Sequence, residues 1–313
     1  MTDPLVAPPA SGSAESHADW LELKALQDTD QNSSLQDLVQ ELRRSGSIEE
    51  IGGVATDEVT DRGSEKSQLV AEAALDELGD RESACGSPTS AYSFSVRSQS
   101  IQADPDYQQS VYAFLLLLSK YGKDAGPKNI EAVDTFNRLS AHAAREYIGG
   151  ASVAEHYIFD FPRKYTPAGF RKALDDLCNR MGEGVGCKIR PNLRDQKDSK
   201  LDVAVWREFS DGRRGKLIGF GQCATGNDWH KKLSDLQPYK FTAKWMYDQI
   251  MPPPIQMFFT PFRVEWRVWA THTIDAGIIF DRCRMTALTV GIDQKLRRTC
   301  ERWTKYVIRK NLA

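Results

Sequence analysis

Lys200 to Trp229 reads KLDVAVWREFSDGRRGKLIGFGQCATGNDW, and the organisation of the chain is read outward from it. KLDVAVWREF alternates β-branched side chains with the period of two that marks a strand, SDGRRG supplies the turn chemistry of a hairpin, and KLIGFGQCAT returns as the second strand. The second strand ends on Gln222-Cys223-Ala224, with a polar amide where an apolar run should be driest. Asp202 opens the first strand and Gln222 lies near the end of the second, so a hairpin delivers both to one end of a sheet. A carboxylate beside an amide oxygen, near a helix carboxylate, is a plausible ligand set for Mg²⁺, which takes a few protein oxygens together with waters and substrate phosphates. A strand-end aspartate and a hydrogen-bonded glutamine is the plainer reading of the same two residues.

Charge is unevenly distributed along the 313 residues. Of 43 acidic and 41 basic side chains, about 19 and 7 fall in the first hundred residues, so a net charge of −2 conceals an acidic arm and a basic body. A basic body suits a polyanionic partner, and suits an ordinary solvated surface equally well. Six cysteines (Cys85, Cys178, Cys187, Cys223, Cys283 and Cys300) contain no C-x-x-C pair, which argues against a zinc ribbon or a disulfide framework and for reduced thiols in a cytoplasmic protein. The start MTDPLVAPPASGSAES has neither a basic region nor an apolar core, as a secretory signal would. The longest apolar run, Val111 to Leu118, is far short of the ~20 residues that cross a bilayer, and reads as a buried helix with no membrane role.

Three regions follow from texture. Residues 1–104 are rich in Ser, Gly, Asp and Glu and poor in aromatics, the composition of a largely disordered arm. Two amphipathic islands interrupt it, SSLQDLVQELRRSG with Ser33 or Ser34 as cap and Gly46 as stop, and KSQLVAEAALDELGD; they read as marginal helices of a mobile arm, or as helices that dock on the body or on another protein. Residues 105–165 read as a helical region, with Gly126-Pro127 separating two runs. From Thr166 to the C-terminus the order is α-β-β-β-α-β: a helix opened by Thr166-Pro167 and stopped by Gly182 and Gly184, a short strand in VGCKIRPN, the hairpin, a helix in NDWHKKL interrupted at Pro238, and a strand in PPPIQMFFTPFRVE. VEWRVWAT alternates as a half-buried strand should. The tail from Val290 to Leu312 is a basic helix carrying Lys295, Arg297, Arg298, Arg302, Lys305, Arg309 and Lys310.

That order, with KLDVAVW followed by KLIGFGQCATG and a helix, resembles the PD-(D/E)xK superfamily of restriction-endonuclease-like nucleases over about a third of the chain, Thr166 to Phe262. The resemblance implies an α/β core, with Asp202 as the aspartate opening the second core strand and Gln222 at the acid-or-amide position of the third. Asp175, beside Asp176, would be the acid on the first helix. It implies Mg²⁺ or Mn²⁺ held by Asp202, Gln222 and Asp175, DNA as substrate, and hydrolysis of phosphodiester bonds by an endonuclease of bacterial restriction or phage defence. The chain departs from the pattern at Ala224, where the superfamily carries a lysine. A lysine displaced onto the following helix would restore the charge, and Lys231, with Lys232 as neighbour, is the residue placed to do so.

Other readings stand beside this one. His230 reads as a surface residue or a general base. Cys223 reads as a buried thiol, or as a nucleophile served by His230 or His156, although strand alternation sets it on the face opposite Gln222. Arg297, Arg298 and Arg302 of the tail are the expected nucleic-acid contacts. The alternative to a nuclease is a catalytically inactive subunit of the same fold that binds nucleic acid or scaffolds a complex, and Ala224 is its best support.

Overall fold

A computed structural model describes residues 8, 12–44, 57–86, 91–159, 162–189, 197 and 199–312, with the backbone alone for 57–64. The N-terminal part forms α1 (Ala14–Gln27), β1 (Asn32–Ser34), α2 (Leu35–Arg44), α3 (Asp57–Ala84), β2 (Phe94–Arg97) and β3 (Ser100–Ala103). α2 begins where the sequence placed its cap: the Asp37 carboxylate accepts the Ser34 N–H at 2.7 Å while Ser34 Oγ accepts the Asp37 N–H at 3.2 Å. β3 is the centre of a small antiparallel sheet ordered β1-β3-β2.

For its described residues, the expectation of a largely disordered arm over residues 1–104 is corrected by the packing. Trp20, Leu21 and Leu23 of α1, Leu38 and Leu42 of α2, and Ala74 and Leu78 of α3 belong to the same hydrophobic cluster as α4 (Val111–Tyr121) and α5 (Ala132–Tyr147). The described helices of the arm are thus used within the fold, and do not form a separate docking segment. The Gly46 stop lies outside the described residues.

The second sheet is mixed and five-stranded, ordered β4 (Ala154–Ile158), β5 (Val203–Arg207), β6 (Ile218–Cys223), β7 (Ile255–Phe259) and β8 (Ile278–Phe280). β4, β5 and β6 run antiparallel in succession, whereas β6–β7 and β7–β8 are parallel. Parallel neighbours need crossovers, supplied by α7 (Pro238–Trp245) and α8 (Trp266–Ala276). α6 (Phe170–Met181) lies in sequence between β4 and β5, and α9 (Arg282–Leu288) and α10 (Gln294–Asn311) close the chain.

Both faces of β5 are covered, as the burial of Val203 through Trp206 shows. Val203 and Val205 face the cluster built by α4, α5 and α10, while Ala204 and Trp206 face α6 and α7. In β6 the alternation is glycine against bulk, because a Cβ on Gly219 would lie 2.4 Å from the Met257 side chain and one on Gly221 2.5 Å from the Phe259 ring. β7 therefore fills the space that β6 leaves open.

From Thr166 the order is α6, β5, β6, α7 and β7, so the expected α-β-β-β-α-β lacks its first strand there; β4, the neighbour of β5 in the sheet, precedes α6 in the sequence. VGCKIRPN is not its first strand: among its described residues only Cys187 pairs, in an isolated bridge to Met246, and the missed strand is β4. α6 starts at Phe170 after Gly169, not at Thr166-Pro167, and ends as expected at Gly182 in the left-handed conformation. NDWHKKL forms only a 3₁₀ turn, Trp229–Lys232, and the crossover helix starts at Pro238, where a missing N–H costs nothing. VEWRVWAT is not a strand; Trp266–Ala276 is a helix with only Ala276 buried.

An ionic network locks the two ends of the chain together. Asp19 of α1 accepts both terminal nitrogens of Arg282, at 2.6 and 3.0 Å, and Nη1 of Arg81 at 2.7 Å. Glu22 Oε1 accepts the hydroxyls of Tyr92 and Tyr112 at 2.6 Å each, and Oε2 lies 2.9 Å from Arg81. Arg263 bridges Glu77 at 2.9 Å and Asp281 at 2.8 Å. The side chains of Arg81, Arg282 and Glu22 are fully buried. Burial raises the pKa of the Asp19 carboxyl, but the guanidiniums of Arg282 and Arg81 outweigh it and hold the group at about 2.

Asp19→Ala should cost about 3–5 kcal/mol, because it leaves buried guanidiniums without their shared carboxylate. The depressed pKa fixes the sign of the pH effect. The Asp19 contribution is fully present above the unfolded value near 3.8 and is lost as pH falls toward about 2, so urea midpoints measured from pH 5 to pH 2 should drop less steeply in Asp19→Asn than in the native chain.

Candidate functional site

β5 and β6 pair with Val203 opposite Gly221 and Ala204 opposite Phe220, and one step further along this register Asp202 stands opposite Gln222. Directly opposed residues share a face, and Gln222 alternates with Phe220 and Ile218, which belong to the cluster under α6 and α7. The sequence expectation that these two residues meet at one sheet end therefore agrees with the register.

Each side chain is engaged by the backbone. Asp202 Oδ2 accepts the Cys223 N–H at 2.7 Å, tying the end of β6 to the start of β5. Gln222, 4% exposed, accepts the Leu236 N–H at 3.2 Å through Oε1 and so anchors the approach to α7. The third expected ligand lies elsewhere. Asp175 Oδ1 accepts the Cys187 N–H at 2.7 Å, and Cys187 is bridged to Met246, just past the C-terminus of α7. Gln222 is bonded to Leu236, just before its N-terminus. The eight-residue helix α7, about 12 Å long, lies between these two anchor points, so Asp175 is tied at one end of it and Gln222 at the other. Asp176, the alternative acid, accepts the Tyr157 hydroxyl at 3.0 Å and pairs with Arg180 at 3.2 Å. Among the described residues no group of three or more His, Cys, Asp or Glu is placed to hold a metal.

The lysine position is closed. Ala224 is 2% exposed and packs with Leu233, Phe258, Val264, Ala276 and Ile279, with Trp229 and Trp269 against the same cluster. Lys231 is exposed on the 3₁₀ turn rather than on a helix aimed at the strand ends. Its neighbour Lys232 bonds Asp228 at 3.0 Å, and that bond, with the charges of Lys232 and Lys231, lowers the Asp228 carboxyl. A lysine that sequence reading missed is linked to the surroundings of the Asp202 and Gln222 pair. Lys200 precedes Asp202 by two residues and pairs at 3.3 Å with Asp235, the residue before Leu236. Its only sequence signal is that spacing in KLD.

The cysteine alternative does not assemble. Cys223 packs toward the cluster on the face opposite Gln222, as alternation requires. His156 pairs with Val205, which pairs with Gly219, four residues before Cys223, so the two are separated by about 13 Å along the strand direction. Burial and then the positive charge of Arg145 push the His156 imidazole down to about 4. His230 is exposed and meets only the edge of Trp229 among the described ring contacts.

Of the expected nucleic-acid contacts, Arg298 and Arg302 are exposed on α10, whereas Arg297 turns back to donate to the Val290 carbonyl at 2.7 Å. No helix among the described residues is long and apolar enough to cross a membrane. No family model, curated protein or solved structure matches the chain.

Gln222→Ala should lower stability by about 1–3 kcal/mol, because it buries the Leu236 N–H without an acceptor. Ala224→Lys should be more damaging than Gln222→Ala, since an ammonium would have to enter an apolar cluster. Urea midpoints of the two variants check both statements, and a tolerated Ala224→Lys would show that the space is open.

Proposed function

We propose that the chain is a nucleic-acid-binding protein built on a restriction-endonuclease-like core whose cleavage site is silent. The observation that carries this reading is Ala224, sealed under Leu233 and Phe258 at the position where the superfamily places a cation. The dispersal of the expected ligands onto three separate backbone N–H groups points the same way. The fold assignment is supported by the antiparallel succession β4-β5-β6 joined in parallel to β7 through α7, with α6 standing between β4 and β5 in the sequence. In this reading the polar sheet end is structural: Asp202 and Gln222 hold strand ends and the α7 approach in place, and the partner is DNA.

Metal-dependent phosphodiester hydrolysis is the second reading. It is favoured by the shared face of Asp202 and Gln222 and by the Lys200–Asp235 pair beside them. The two readings separate in one assay, in which the full chain is incubated with duplex DNA, single-stranded DNA and RNA in Mg²⁺, Mn²⁺ or EDTA. Binding without cleavage in all three conditions is expected. EDTA-sensitive cleavage that disappears in Asp202→Ala would overturn the silent site and establish the second reading, and failure to bind any nucleic acid would overturn both.

A further inference from the structure

α10 presents one charge pattern to solvent and another chemistry to the core. Leu296, Cys300, Trp303, Thr304 and Val307 are its buried residues, and Phe114 packs edge-on against Trp303 to hold the helix down. Lys295, Arg298, Arg302, Lys305 and Arg309 are all exposed. Their spacing of three, four, three and four residues, at about 100° per residue, confines them to an arc of about 80° whose centre lies about 160° from that of the buried side chains. The stripe is therefore turned away from the body along its whole length. From Lys295 to Arg309 it runs about 21 Å at 1.5 Å per residue. Glu301, half-buried at its margin, pairs with Lys305 and offsets one of the five charges. Arg297 does not belong to the stripe, since its guanidinium is turned to the Val290 carbonyl.

We infer that this face of α10 is the surface on which the protein binds the sugar-phosphate backbone of nucleic acid, without reading base sequence. The inference rests on the nucleic-acid-binding reading proposed above and adds where the partner sits. Three properties of the stripe favour this occupant. Its charges form a straight row long enough to meet several successive phosphates, since a duplex carries one charge per about 1.7 Å of axis. Three of the five are arginines, whose planar forks match phosphate oxygens. The arc contains no exposed apolar side chain that a helix lying in a bilayer surface would bury, which argues against a lipid headgroup as the source of the phosphates. The stripe also lies on a different element from the Asp202 and Gln222 sheet end, so binding through it requires nothing of that end.

The test compares the full chain with a variant in which Lys295, Arg298, Arg302, Lys305 and Arg309 are all replaced by Gln. Fluorescence anisotropy would follow a labelled 30-base-pair duplex of unrelated sequences across a salt series, beside vesicles containing phosphatidylserine. Each neutralised phosphate contributes about −0.9 to the slope of log affinity against log salt, so the five-fold Gln variant should lose a slope of about 4 and bind far more weakly at every salt concentration. A companion variant with Arg298, Arg302 and Arg309 changed to Lys keeps the charge and should keep the slope, which separates loss of charge from loss of fold. Unchanged binding of duplexes by the Gln variant would overturn the assignment of this face while leaving the proposed function standing. Binding of vesicles but not of nucleic acid would overturn the choice of occupant, and absence of all binding by the native chain would overturn the function itself.

Discussion

The carboxylate of Asp19, shared between Arg282 and Arg81, is the interaction on which the arrangement of the chain depends. Two fully buried guanidiniums are expensive to remove from water, and they are tolerated because Asp19, Glu22 and Glu77 reach them from α1 and α3 with short, directed bonds. The tyrosine hydroxyls on Glu22 and the Ser119 hydroxyl on Arg282 satisfy further lone pairs and donors. Removing α1 would leave positive charge stranded between α3 and α9. α1 and α9 thus depend on one another, although they lie more than two hundred and fifty residues apart in the sequence.

This network changes the meaning of the charge asymmetry. Three acids of the N-terminal segment, Asp19, Glu22 and Glu77, are taken up inside the molecule by Arg81, Arg263 and Arg282, whereas Lys295, Arg298, Arg302, Lys305 and Arg309 of α10 remain outside. An acidic arm facing a basic body would be a loose electrostatic pairing screened by salt. A buried network in low dielectric is screened far less, and it fixes geometry as well as charge.

At the sheet end a similar economy applies. Asp202 and Gln222 look like metal ligands in one dimension because an oxygen-bearing side chain at a strand terminus has that appearance whatever it does. In three dimensions the oxygens compete with backbone N–H groups that have no other partner once the strand ends and α7 begins. Cys223 N–H and Leu236 N–H claim them, and Asp175 is engaged by the Cys187 N–H at the other end of α7. The aromatic cluster over Ala224 completes the closure, with Trp229 stacked on Phe262 at 6.2 Å between ring centroids.

The sequence by itself determined the hairpin from Lys200 to Trp229, the apolar helix at Val111, the cap of α2, the glycine end of α6 and the basic character of the last helix. Each is encoded within a few residues, as a period, a cap or a glycine. Only the tertiary structure decided that Ala154–Ile158 is the first strand, that Trp266–Ala276 is a helix and that the N-terminal segment is part of the core. β4 reads ambiguously alone because Glu155 and His156 interrupt its apolar pattern, and it is selected by pairing with β5. In α8 the alternation of Val264, Trp266 and Val268 imitates a strand, but the parallel connection from β7 to β8 requires a crossover, and a helix satisfies its own backbone there. The partners of Asp19 and Glu22 lie some sixty to two hundred and sixty residues away, a separation over which no local pattern carries information.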